Sequence, residues 1–150
     1  MKNVNVADTT LCRNATLSFK EKIEIVRQLE KLNVNAIELP VIEDKKSDIL
    51  LVRTISSFVQ SSIISVASGM TEEGVDFAIE ALSAAKNPRI RVELPVSPVG
   101  MEYTCHKKAP KMLELITQLV SKAKGAAALL FVDNGISFPC CKGRPAWQEH

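Results

Sequence analysis

Short apolar runs alternate with capped amphipathic helices along most of this chain, and that alternation limits the folds open to it. Val4-Asn5-Val6-Ala7 reads as a first strand, closed by Asp8-Thr9-Thr10-Leu11. Ser18 with Glu21 forms a capping-box pattern, after which Ile23, Val26, Leu29, Leu32 and Val34 keep helical spacing and predict a helix over roughly 19–33. Ala36-Ile37-Glu38-Leu39-Pro40-Val41 has the composition of a buried strand that finishes at Pro40. Ser47-Asp48 is the expected cap of a second helix, with Ile49, Val52, Ile55, Phe58 and Val59 on its inner face.

The pattern then repeats. Residues 62–67 read as a third strand, broken by Ser68-Gly69. Thr71-Glu72-Glu73 opens a third helix with acidic residues where the helix dipole favours them, and Asn87-Pro88 stops it. Residues 89–96 alternate charged and apolar side chains as a fourth strand. After a loop, Pro110 starts a fourth helix that Gly125 ends, and residues 126–132 form a fifth strand. Strict β-α alternation means parallel strands joined by right-handed helical crossovers. Two architectures satisfy it: a five-stranded doubly wound sheet, which the length favours, or part of a (β/α)8 barrel, which as a whole takes ~250 residues. Residues 133–150 carry two prolines, two glycines, paired cysteines and the only tryptophan without any period, and are expected to form an irregular tail outside a 1–132 domain.

A net charge of +2 from 19 basic and 17 acidic residues leaves no electrostatic footprint for nucleic acid or an anionic membrane surface. No apolar run approaches the ~20 residues that span a bilayer, and Met1-Lys2-Asn3 leads into a strand, so the expected location is cytoplasmic. Cys12, Cys105, Cys140 and Cys141 contain no C-x-x-C pair and read as reduced structural thiols.

The stretch Asp8-Thr9-Thr10-Leu11, the helix start Ser18-Phe19-Lys20-Glu21-Lys22-Ile23 and the run Asn33-Val34-Asn35-Ala36-Ile37-Glu38 up to Pro40 resemble the 2-isopropylmalate synthase and homocitrate synthase family. Its members read D-T-T-L-R-D-G-E-Q, S-x-x-E-K-L and G-V-x-x-I-E-x-G-x-P at these places. Residues 81–92, and Met101-Glu102-Tyr103 with Lys107-Lys108, extend the resemblance, which covers about residues 4–125 in the same order. It implies an incomplete (β/α)8 TIM barrel with about five parallel βα strands. It also implies a divalent metal (Mg, Mn or Zn), and a Claisen-type condensation joining acetyl-CoA, the co-substrate, to a 2-oxo acid. In that chemistry the metal polarises the ketone and an arginine offsets developing oxyanion charge.

The family's metal-site pattern is altered here. Direct alignment puts Cys12 and Arg13 where Arg-Asp stands. A shift of one residue puts Arg13 on the arginine and Asn14 on the aspartate, a neutral amide being a poorer ligand for a hard cation. The loop is several residues shorter, and the family's H-x-H is missing, His106 and His150 being isolated. The expectation is a truncated or frameshifted member, or the N-terminal half of a divergent enzyme. The rival expectation is a non-catalytic α/β binding or interaction domain on the same scaffold. An exposed edge at strand five would favour a homo-oligomer.

Arg13 and Glu38 are the candidate catalytic groups, Glu38 because an ionisable group in an apolar strand needs a partner. Thr10 and Ser97 are candidates for substrate binding, although a serine at a strand end often just begins a turn. Asn14 and Asp8 are weak metal-ligand candidates, Asp8 being equally suited to accept backbone hydrogen bonds in its own turn. Glu93 is expected to pair with Arg89 or Arg91, with only one of Arg91 and Glu93 facing a barrel interior. Thiol catalysis at Cys12 and phosphate binding at His106-Lys107-Lys108 are the weaker readings of those residues.

Overall fold

Each strand-to-helix joint is fixed by a side chain that satisfies orphan backbone groups. In the computed structural model, which describes residues 4–14, 16–95, 97–125 and 129–133, the order is β1 Ala7–Asp8, α1 Thr10–Arg13, α2 Phe19–Lys31, β2 Ala36–Leu39, α3 Lys45–Phe58, β3 Ile63–Ala67, α4 Glu72–Leu82, β4 Pro88–Glu93, α5 Pro98–Cys105, α6 Ala109–Lys124 and β5 Leu129–Asp133. Ser18 and Glu21 cap α2 reciprocally, as their spacing predicts. Helix α2 ends through Asn33, which takes the left-handed conformation at φ 53° and so lets the chain turn into β2.

Several boundaries differ from the sequence expectation. Helix α3 begins at Lys45, not after Ser47-Asp48, because Asp44 is its N-cap and accepts from Lys46 N at 3.0 Å. Asp48 reaches back instead, accepting from Glu43 N and Asp44 N. Regular pairing of β1 is confined to Ala7 and Asp8 rather than Val4 to Ala7. Residues 98–105, read as a loop, form α5, with Ser97 as N-cap and Pro98 in the first turn. Strand β4 ends at Glu93, two residues before Pro95, which has no N–H for the ladder. Of the expected tail over 133–150, Asp133 instead closes β5, and the remainder, with Cys140 and Cys141, lies outside the described residues.

The five strands form one sheet in the order β1-β2-β3-β4-β5, every neighbouring pair parallel. A doubly wound sheet would reverse direction at a switch point and place later strands beyond the first. Sequential order does neither, so the doubly wound alternative falls and the chain is an arc of a (β/α) barrel. Neighbouring helices touch in the same sequence, α2 to α3, α3 to α4 and α4 to α6.

The two faces of the sheet follow the strand period of two. Ile37 and Leu39 of β2, Ile64 and Val66 of β3, and Ile90 and Val92 of β4 share one face, all at most 2% exposed. They join Val26, Ile49, Val52, Ile55, Val75, Ala78, Met112 and Leu119 of the helices in one apolar cluster. Full burial of each large side chain contributes about 1.5–3 kcal/mol. The other face carries Glu38, Ser65, Arg89, Arg91 and Glu93, and it is there that the chain's polar chemistry collects.

Candidate functional site at the strand ends

Register alone aligns the first layer of this polar face. Glu38 pairs with Ser65 and Ser65 with Arg89, so residues from β2, β3 and β4 stand side by side on one surface. Arg91 and Glu93 follow at steps of two along β4. Both therefore face the same side as Glu38, which corrects the expectation that only one of them could: residues i and i+2 of a strand share a face. The expected partnership of Glu93 is with Arg91.

Arg91 is the centre of the cluster, 6% exposed although permanently charged. Its Nε donates to Glu93 Oε1. Its Nη2 points at Cys12 Sγ, 3.9 Å away. Its Nη1 lies 2.5 Å from Glu38 Oε2. That last contact is one of charge rather than of an aligned hydrogen bond, so Nη1 is buried with its hydrogen-bonding capacity unmet. Arg89 Nη2 stands 3.7 Å from the other oxygen of Glu38, and Arg89 Nε donates to Ser65 Oγ at 3.1 Å. Burial weighs against both guanidinium charges, but Glu93 and Glu38 more than offset it for Arg91, whose pKa is raised. For Arg89 burial prevails over the attraction of Glu38, and the pKa is lowered.

Cys12 reaches the cluster from α1, its thiol donating to the Glu38 carbonyl at 3.3 Å. Burial pushes its pKa up, against the opposing pull of Arg91. A protonated thiol is a poor nucleophile and a poor ligand.

The residues singled out in the sequence separate into two groups. Glu38 sits in the cluster. Asp8 does not: it pairs in register with Ile37, on the opposite face. Its carboxylate accepts from Thr10 N and from Thr10 Oγ1, both at 3.0 Å, an Asx-type turn that also occupies the Thr10 hydroxyl. Asn14 Nδ2 donates to Thr10 O at 3.0 Å at the end of α1. Arg13 is exposed and has no hydrogen-bond or ion-pair partner among the described residues. Ser97 caps α5, its Oγ accepting from Gly100 N at 3.0 Å. Sequence reasoning missed Arg91, Arg89 and Ser65 as site residues, and gave Cys12 only the weaker reading of a thiol nucleophile. The usable signal was Arg89-Ile90-Arg91-Val92-Glu93, three charges at strand period inside a run otherwise fit for burial.

The donor set does not fit a divalent metal. Asp8 and Asn14 are turned to local backbone, Glu38 and Glu93 each face a guanidinium, and Cys12 is held protonated. Among the described residues no three His, Cys, Asp or Glu side chains converge as a ligand group. Nor is any described helix long and apolar enough to cross a membrane.

Comparison with known proteins places this arrangement. The HMGL-like family model matches residues 3–140. The chain belongs to the HMGL-like family. Its HMGL-like relatives include a 2-isopropylmalate synthase of Halalkalibacterium halodurans, 33% identical over 128 residues, which is 82% of this chain and 25% of that enzyme. The 2-isopropylmalate synthases of Lysinibacillus sphaericus and Clostridium kluyveri are each 31% identical over 129 residues, 83% of this chain and 25% of theirs. This HMGL-like chain thus spans about a quarter of the length of the curated relatives it matches. Family and strand order agree on a partial TIM barrel.

Proposed function

We propose that this chain corresponds to the N-terminal part of an acetyl-CoA-dependent acyltransferase barrel of the 2-isopropylmalate and homocitrate synthase type, keeping the 2-oxo acid recognition surface but not the condensation step. The observation that carries the reading is Arg91 lodged between Glu38 and Glu93. Both carboxylates, the groups at the strand ends that could bind a metal or move a proton, are neutralised by a guanidinium that does not titrate in the physiological range. Among the described residues the family's divalent metal has no donor set to hold it.

What remains is a polar surface at strand C-terminal ends, the place where barrel enzymes bind substrates. Arg13 offers an exposed positive charge at the end of α1 for the carboxylate of a 2-oxo acid, and Glu38 holds the two arginines of β4 in place. A role in amino-acid biosynthesis in the cytoplasm accords with relatives that are 2-isopropylmalate synthases. The occupied carboxylates equally favour the second reading, a binding or interaction domain that keeps the scaffold alone.

Two measurements separate these. Release of coenzyme A from acetyl-CoA is followed with a thiol-trapping dye in the presence of several 2-oxo acids, with and without Mg²⁺, Mn²⁺ or Zn²⁺. No release above background is expected, and release that depends on both the 2-oxo acid and the metal would overturn the reading. Calorimetric titration with the same 2-oxo acids should give heat that Arg13→Ala abolishes, whereas a flat titration leaves the binding-domain reading in its place.

A further inference from the structure

We propose that the Arg91 guanidinium is a built-in cation at the strand ends, holding together from within the acidic and thiol groups that a metal ion would gather, and making this site independent of any metal.

Three observations carry it. Each of the three nitrogens of Arg91 faces a group of a type that ligates divalent cations: Nε meets the Glu93 carboxylate, Nη1 the Glu38 carboxylate and Nη2 the Cys12 sulfur. These come from β4, β2 and α1, so one side chain of β4 ties its strand to β2 and to α1, which are themselves joined by the hydrogen bond from the Cys12 thiol to the Glu38 carbonyl. Secondly, Nη1 is buried without an aligned hydrogen bond while it lies 2.5 Å from a carboxylate oxygen. A side chain placed for ordinary hydrogen bonding would not leave that nitrogen so; a charge packed among opposite charges does. Thirdly, the four fixed charges of the cluster, on Arg89, Arg91, Glu38 and Glu93, sum to zero. Arg89 and Arg91 thus cancel Glu38 and Glu93, whereas hard cations are held by net negative oxygen sets. Removing Arg91 leaves two carboxylates against one arginine, a net charge of −1 around a hole of guanidinium size.

The inference does not depend on the proposed substrates, and its test reads stability alone. Thermal unfolding is measured for the wild-type chain and for Arg91→Ala, each with EDTA, with Mn²⁺ and with ethylguanidinium, the truncated part of the side chain, at millimolar concentration. The wild-type Tm should be the same in all three. Arg91→Ala should lose Tm and recover at least half of the loss in ethylguanidinium or Mn²⁺, by the ordinary stabilisation of a folded state that binds a ligand. The double variant Arg91→Ala/Glu38→Gln should not recover. If Arg91→Ala does not fold unaided, ethylguanidinium or Mn²⁺ should restore the folded far-UV spectrum. The proposal is overturned if Mn²⁺ stabilises the wild type in a manner abolished by Glu38→Gln, or if neither cation acts on Arg91→Ala.

Discussion

Glu38 is the residue on which the polar face depends most, because its two oxygens face different arginines. Its carboxylate is 18% exposed, so its charge and those of its partners are largely desolvated. Glu38→Gln keeps the shape and deletes the charge, leaving Arg91 with Glu93 alone. Breaking one side of such a pair costs about 3–5 kcal/mol. We expect a loss near 3 kcal/mol in urea unfolding. Arg91→Met added to Glu38→Gln should cost less than the sum of the single changes, because the second removes a charge that the first has stranded. Cys12 offers a second check at this scale. With its pKa raised by burial, Cys12 should react with iodoacetamide at mildly alkaline pH more slowly than free glutathione, in a variant lacking the other cysteines.

At the scale of elements, the joints are set by single groups that the pattern of apolar residues does not register. Glu30, near the end of α2, accepts from Gln60 N, Ser61 N and Ser61 Oγ at 2.8–2.9 Å, and so ties α2 to the turn before β3. Burial acts against its charge, but these hydrogen bonds outweigh it and hold the pKa at about 2 against an ordinary 4.5. A depressed folded pKa contributes stability that is complete above pH 4.5 and lost as pH falls towards 2. Acid titration of stability should therefore flatten across that interval in Glu30→Gln. Gly74, in the first turn of α4, carries the opposite lesson. A Cβ there would stand 2.0 Å from the Ser68 carbonyl oxygen, a backbone atom that cannot step aside. Gly74→Ala should cost about 2–3 kcal/mol by overpacking, although alanine is the better helix former. Helix cap Ser18-Glu21 was legible in the sequence because its partners are local. The α3 cap was not read correctly, since Asp44 and Asp48 both qualify by type and only their hydrogen bonds decide between them. Helix α5 escaped because none of its residues is buried, so the apolar spacing that betrays a helix is absent; Ser97-Pro98 was the remaining sign.

Across the whole molecule, the alternation of strands and helices was readable because most core residues obey one period or the other, Ile42, Val59 and Leu94 being buried outside any element. The strand order was not, since alternation alone is common to barrels and doubly wound sheets; the D-T-T-L and I-E resemblance favoured the barrel and the register decided it. The polar cluster was partly readable: Glu38 stood out in its strand, but Arg91 lies 79 residues from Cys12 and no local pattern records that meeting. Stability should be graded across the arc. Strand β3 is flanked on both sides and its Ile64 and Val66 are at most 1% exposed, whereas Val4 and Val6 beside β1 are 79% and 51% exposed. In native-state hydrogen exchange, the amides of Ile64, Val66, Ile90 and Val92 should exchange only through global unfolding and those of Ala7 and Asp8 well before it. The zero sum of the four cluster charges also bears on how a ligand arrives. Opposed charges a few ångströms apart present an alternating field that dies away within a short distance, so the cluster offers an approaching anion no long-range pull. The longer-range attraction for the proposed 2-oxo acid is then left to the exposed charge of Arg13, so its association should slow as salt rises and Arg13→Ala should remove that dependence.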